Sequence, residues 1–137
     1  MIAKHFVCPV FKADVYFIVD CSLKRLEQVM RNKFQLSCDF TKVLDKDAAG
    51  YLIPIRTSES ASPEFVLWVE TPTEDAGSLM HECVHLATSI FKFRNITEWI
   101  YDNQEMLSYY SQFWFESFIK LLKEQHAFNK KGKKSSA

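Results

Sequence analysis

The length, composition and charge of the chain exclude several broad classes of protein. Its 137 residues suffice for one domain with a hydrophobic core, and a hydrophobic fraction of 47% is too high for a disordered chain. The 17 basic and 17 acidic side chains cancel, so no overall field favours nucleic acid or anionic lipid. We expect neither a membrane span nor a signal peptide, and therefore a cytoplasmic protein.

The cysteines point to the same compartment. They are spread along the chain without a C-x-x-C pair, so neither a zinc knuckle nor a dense disulfide framework is expected. We expect them to be reduced and mostly buried, as in cytosolic proteins. The four are Cys8, Cys21, Cys38 and Cys83.

The first half of the chain predicts two strands and one helix. Val15–Val19 is β-branched and aromatic, as strands are. Ser22 and its neighbours can cap a helix over Leu23–Lys33, whose apolar residues recur at helical spacing. Tyr51–Ile55 is a second apolar run, and Pro54 within it indicates an edge strand or a bend.

The strongest predicted strand, Phe65–Glu70, leads directly into a predicted helix. Thr71 can act as the N-cap, Pro72 suits the first helical position, and Glu74 completes a capping box. A wide stripe of apolar side chains then continues to about Phe91, which predicts a helix with one buried face.

A last helix follows a short break in the pattern. Thr97 or Asp102 can cap it, and its apolar residues continue to about Gln125. Strands and helices in this order predict an α+β fold, with a small mixed or antiparallel sheet packed on helices. We expect one domain over residues 1–128 and a basic, disordered tail over residues 129–137.

The most informative motif is His81-Glu82-Cys83-Val84-His85, an H-E-x-x-H pattern inside the predicted helix. Residues four apart lie on one helix face, so both imidazoles can bind one Zn²⁺. Glu82 can then act on water at the metal. Cys83 should face away from the metal, as a small core residue.

A catalytic zinc with two histidines needs a third protein ligand. Glu105 lies in the first half of the last helix, about one antiparallel return from His85, and is the candidate that we favour. The alternative is that Glu105 only closes a second capping box beginning at Asp102. The other acidic residues after His85 are Glu98, Asp102, Glu116 and Glu124.

These residues resemble the zincin metallopeptidases, in particular a minimal gluzincin type. The resemblance covers about Phe65 to Leu122 and rests on the strand, on the H-E-x-x-H helix and on Asn103-Gln104-Glu105. Similar short bacteriophage proteins, regarded as metallopeptidases, also place this helix before a final helix with a Glu and aromatic residues. Larger gluzincins carry an acidic residue one turn after the ligand Glu, where this chain has Tyr109.

The resemblance implies a Zn²⁺-dependent peptidase acting on a peptide or protein, with Glu82 as general base. A developing oxyanion needs a further hydrogen-bond donor, and Tyr109 is favoured because it lies one turn from Glu105; its alternative role is a core aromatic. The strand Phe65–Glu70 occupies the place where zincins often present an edge to extended substrate. Other candidate donors are Tyr110, Arg94 and His126.

Two other classes of function remain open from the sequence. One is a non-catalytic, zincin-like metal-binding module that binds a host or partner protein through its aromatic side chains. The other is a protein that associates with nucleic acid through the lysines of 130–134. Only the enzyme needs Glu82 once metal is bound.

Overall fold

The computed structural model describes residues 1–35, 48–56, 62–96 and 104–135. These residues form four strands and three helices, which confirms the expected α+β class. In chain order the elements are β1 (Ile2–Cys8), β2 (Ala13–Val19), α1 (Leu23–Phe34), β3 (Gly50–Arg56), β4 (Glu64–Val69), α2 (Ala76–Phe93) and α3 (Gln104–Ser135).

The four strands form one mixed sheet in the order β1-β2-β4-β3. The two central strands, β2 and β4, are parallel, whereas each edge strand pairs antiparallel with its neighbour. All but one of the side chains of β4 are buried, as expected for a central strand covered on both faces. Its continuous apolar run is therefore explained by its place in the sheet.

Helices cover both faces of the sheet. On one face, alternate strand residues such as Phe17 and Leu67 pack with α2 and α3 in the larger core cluster. On the other, Ile18 and Trp68 pack with α1. The Trp68 indole N–H donates to the Cys21 carbonyl oxygen (3.0 Å), which ties the start of α1 to β4. The sheet is thus the middle of three layers.

The first helix agrees with its prediction to within one residue at its end. Ser22 is the N-cap, and its hydroxyl accepts a hydrogen bond from the Arg25 backbone N–H (3.3 Å). The helix ends at Gln35, whose φ of 54° lies in the left-handed region. The strand β1, by contrast, is an element that the sequence interpretation missed.

The cap of α2 differs from the prediction. The Thr71 carbonyl oxygen accepts from the backbone N–H groups of Glu74 (3.1 Å) and Asp75 (3.0 Å), so Thr71 begins a turn and not the helix. Asp75 is the N-cap, and its carboxylate accepts hydrogen bonds from the Ser78 backbone N–H (2.9 Å) and the Ser78 hydroxyl. The N-cap of α2 is therefore the Asp75 carboxylate and not the Thr71 hydroxyl that the sequence predicted.

The third helix is longer than predicted. Its last side chain in the core is Leu122, yet it continues to Ser135, where the sequence predicted a disordered tail from residue 129. Good helix formers such as Lys, Gln and Ala sustain it, and residues 123–134 are exposed apart from the half-buried Gln125. Among the described helices, none combines the length and apolar character that crossing a membrane requires.

The cysteines that the structure describes are free and buried, as expected. Cys8 and Cys83 belong to the larger core cluster, and Cys21 lies beneath α1. Cys38 lies outside the described residues.

Candidate metal and catalytic site

The two histidines of the motif converge on one point. They lie one turn apart on α2, both are exposed, and their Nε2 atoms are 3.0 Å from each other. Zn–N bonds of about 2.0–2.1 Å in a tetrahedral site place two nitrogens about 3.3 Å apart. The spacing of His81 and His85 therefore fits two ligands of a single ion.

Cys83, at the centre of the motif, is buried, as the sequence predicted. Cys83 is completely inaccessible to solvent and packs in the core on the opposite side of α2. Burial raises the pKa of its thiol to about 12, and the neighbouring Glu82 charge adds to this effect. Because Cys83 lies in the core and the histidines are exposed on the other side of α2, Cys83 does not share their site.

Glu82 is a buried carboxyl group beside an exposed pair of imidazoles. Its side chain is only 6% exposed. Burial raises the pKa of this carboxyl group, while the nearby His85 and His81 and a hydrogen bond from the Leu52 backbone N–H act in the opposite direction. A raised pKa brings a carboxylate closer to the range in which a general base operates at neutral pH.

The edge strand beside the motif is β3, and not Phe65–Glu70 as expected. The strand β4 lies between β2 and β3, so both of its edges are paired. The position of β4 just before the motif helix in the sequence does not indicate that another strand, β3, pairs with its outer edge. Pro54, without an N–H, is tolerated in β3 because this strand has an open edge.

A groove runs along α2 beside this edge strand. Its middle is a cavity of about 430 Å³ around the motif, and a cavity of about 510 Å³ adjoins it at Gly50, His81 and Glu82. A larger cavity of about 690 Å³ adjoins the middle cavity, shares Pro54 and Ser89, and is bounded by Lys92 and Arg94. The middle cavity is lined by Ala48, Gly50, Tyr51, Leu52, Pro54, His81, Glu82, His85 and Ser89.

The third ligand stays a prediction. Glu105 lies in the first turn of α3 and is exposed. Within the ranges that the structure describes, no three His, Cys, Asp or Glu side chains come together as a metal site, so Glu105 does not join the histidines there. Glu98 and Asp102 lie outside the described residues. The histidine pair fits a divalent ion, and its third protein ligand is not identified.

Tyr109 is not beside the motif among the described contacts. It is 68% exposed on α3 and does not line the cavity around His81, Glu82 and His85. Because its side chain is exposed, Tyr109 is not a core aromatic either. The role of oxyanion donor therefore stays a prediction for Tyr109.

The other candidate donors are used elsewhere or are remote from the core. The hydroxyl of Tyr110 is buried and donates to the Cys8 thiol sulfur (3.3 Å). The Arg94 side chain donates to the carbonyl oxygens of Phe11 (2.9 Å) and Lys12 (3.3 Å), in the turn between β1 and β2. His126 is exposed beyond the last core residue of α3.

One group at the site was not predicted. The backbone N–H of Leu52 reaches the Glu82 carboxylate from the edge strand. A main-chain donor has no side-chain signature, so only the pairing of β3 at the edge of the sheet reveals it.

Comparison with known proteins does not identify a family for this chain. Comparison of the chain with protein-family models, with curated proteins and with solved structures gave no match. The resemblance to zincins stays a prediction from the sequence motif.

Proposed function

We propose that the protein is a zinc-dependent metallopeptidase. The observation that carries the proposal is the geometry of the motif: two imidazoles converge at 3.0 Å, and a buried carboxyl group lies in the same cavity. His81 and His85 supply the nitrogen ligands, and Glu82 supplies the base. Residues of these types at this spacing are typical of metal-assisted hydrolysis.

The metal ion and the residues of the motif would have different roles in hydrolysis. When bound, Zn²⁺ polarises a carbonyl group and lowers the pKa of water to about 7. His81 and His85 would hold the ion through their Nε2 atoms. The Glu82 carboxylate accepts a proton from water and passes it to the nitrogen of the leaving amine.

The groove favours a peptide as the substrate class. It follows α2 beside the outer edge of β3, which pairs with no further strand among the described residues, and it is long enough for an extended chain to lie against its side chains. The middle cavity is bounded by apolar side chains such as Leu52 and Pro54 as well as by the motif. We infer that flexible segments of a protein reach this site more readily than folded ones.

A second function is favoured by one observation and serves as the alternative. Aromatic side chains are exposed on α3. A non-catalytic metal-binding module can dock a host or partner protein through exposed rings such as those of Tyr109 and Phe113. In that case Glu82 has a structural role only.

The substitution Glu82→Gln separates the two functions. It keeps the shape of the side chain and removes the base, so we expect zinc content to be unchanged and the rate of peptide hydrolysis to fall by on the order of a hundredfold or more. Glu124→Gln, an exposed position on α3, is the matched control. Hydrolysis of an unfolded protein substrate is measured with zinc-loaded protein. Full activity of Glu82→Gln would show that Glu82 is not the base, and absence of hydrolysis by the zinc-loaded parent protein would overturn the peptidase proposal.

A further inference from the structure

We propose that Gly50 and the backbone N–H of Leu52 position the Glu82 carboxylate, so that the edge strand β3 is part of the catalytic apparatus. This inference rests on the proposed peptidase function, because it gives the strand a role in aiming the base. Neither residue carries a functional side chain. Their contribution is space at one position and a main-chain hydrogen bond at the other.

Gly50 leaves the space that Glu82 occupies. A Cβ atom at position 50 would lie 3.1 Å from Glu82 Cγ, 3.0 Å from the Trp68 carbonyl oxygen and 3.3 Å from Val69 Cγ2. Real Cβ atoms rarely approach heavy atoms so closely. The φ of Gly50 is not positive, so an alanine is tolerated by the backbone itself. The requirement for glycine is therefore steric, and it comes in part from the proposed base.

Leu52 has its backbone N–H on the side of β3 that faces away from β4. In an antiparallel edge strand, the N–H groups of alternate residues point away from the neighbouring strand. Pro54 has no N–H and so suits this outward set, and Leu52 lies two residues earlier in the same set. This outward N–H interacts with the Glu82 carboxyl group and lowers its pKa, against the larger effect of burial. The strand thus fixes both the approach of the Glu82 side chain and the direction of its carboxylate.

The position of the Glu82 carboxylate affects how well it can act as the base. Glu82 is the residue after His81, and its carboxylate lies in the cavity that both histidines line. A general base must lie within hydrogen-bond reach of the proton that it removes, and displacement of a reacting group by about 1 Å can cost on the order of a hundredfold in rate. An added methyl group at position 50 moves Glu82, the strand, or both.

A stability cycle tests the contact without relying on enzyme activity. The variants are Gly50→Ala, Glu82→Ala and the double substitution, each examined by urea denaturation in the absence of metal. We expect Gly50→Ala to lower the denaturation midpoint, and to lower it less when residue 82 is already alanine, because Cγ is then gone. Equal losses in the two backgrounds would overturn the inference. Gly77→Ala is the control, since its Cβ would meet only Asp75 Oδ1 at 3.5 Å.

A kinetic cycle tests the role in catalysis. With zinc bound, Gly50→Ala should lower kcat by up to on the order of a hundredfold while KM and zinc content change little. It should have no further effect on the residual rate of Glu82→Gln. Gly132→Ala, where an added Cβ meets nothing within 4 Å, is the control. An equal loss of kcat in both backgrounds would mean that Gly50 does not act through Glu82. If the parent protein hydrolyses no peptide, the proposed function fails, and the stability cycle alone decides the positioning.

Discussion

His81 and His85 bring their Nε2 atoms to 3.0 Å from each other across one turn of α2, and both rings are exposed. Between two neutral imidazoles, this contact requires one ring to donate and the other to accept. When both nitrogens bind one ion, both are unprotonated. The same geometry thus serves a hydrogen bond without metal and a chelating pair with it.

We expect one zinc ion per chain at neutral pH. His81→Ala and His85→Ala should each weaken zinc affinity strongly, whereas His126→Ala, at an exposed position on α3, should not. Mildly acidic buffer should release the ion, because protonated imidazole cannot bind metal. Elemental analysis and calorimetric titration with Zn²⁺ measure both effects. Failure to take up zinc at neutral pH would contradict the metal site.

Glu105→Ala distinguishes a metal ligand from a helix cap. As the third ligand, Glu105 should contribute strongly to zinc affinity, while Glu116→Ala should leave affinity unchanged. As a cap, Glu105 should instead contribute about 1 kcal/mol to stability, with zinc binding intact. Zinc titration and urea denaturation of the same variants are the two measurements. If zinc affinity is unchanged, the third ligand has to be sought elsewhere, with Glu98 and Asp102 as the next variants.

The raised pKa of Glu82 predicts a pH-dependent stability for the metal-free protein. Because the folded-state pKa lies above the ordinary value of 4.5, the stabilising contribution is fully present below pH 4.5 and is lost as the pH rises through the folded-state pKa. Glu82→Gln removes this titration. The variant should therefore gain stability relative to the parent between acidic and neutral pH, as measured by urea denaturation. A difference that does not change with pH would contradict this prediction.

The N-cap of α2 can be tested by paired substitutions. Asp75→Ala removes the carboxylate that accepts from the Ser78 N–H, so the thermal midpoint should fall. Thr71→Ala should have a smaller effect, because the turn uses the Thr71 carbonyl oxygen. Asp75→Asn should retain most of the stability, since an amide oxygen also caps. Equal losses for Asp75→Ala and Thr71→Ala would favour the capping box that the sequence predicted.

The C-terminal part of α3 should be dispensable for the fold. From Asn129 to Lys134 every side chain is exposed, and four of these six residues are lysines. Deletion of residues 129–137 should leave the unfolding free energy and zinc content unchanged. If the lysines bind nucleic acid, the full chain should bind DNA with a steep dependence on salt that the truncated chain lacks. Binding assays at two salt concentrations, with denaturation of both forms, provide the test.

Elements with strong local signals were predicted well. The helix α1 has a capping Ser22 and apolar residues at helical spacing, and both its start and its cap are confirmed. The motif helix was also predicted, but its cap was placed at Thr71 and lies at Asp75, because several residues in this segment can cap. The strand β1 was missed, since only Cys8 at its end is fully buried and its alternation is weak.

The arrangement of the strands could not be read from local patterns. The segment Phe65–Glu70 predicted a strand correctly, but whether that strand lies at the centre or the edge depends on pairing with residues far away in the chain. The same holds within the site. The motif named His81, Glu82 and His85 through their spacing, whereas the hydrogen bond from Leu52 depends on the register of β3.

The contact between Arg94 and the turn of the first hairpin has a consequence for how the site assembles. Its two hydrogen bonds join the end of the motif helix to Phe11 and Lys12, 83 and 82 residues earlier in the chain. A helix can form locally, but contacts between such distant residues close late in folding because of the entropy of the intervening loop. During synthesis, the hydrogen bond from Arg94 to Phe11 can form only after the 83 residues that follow Phe11 have been added.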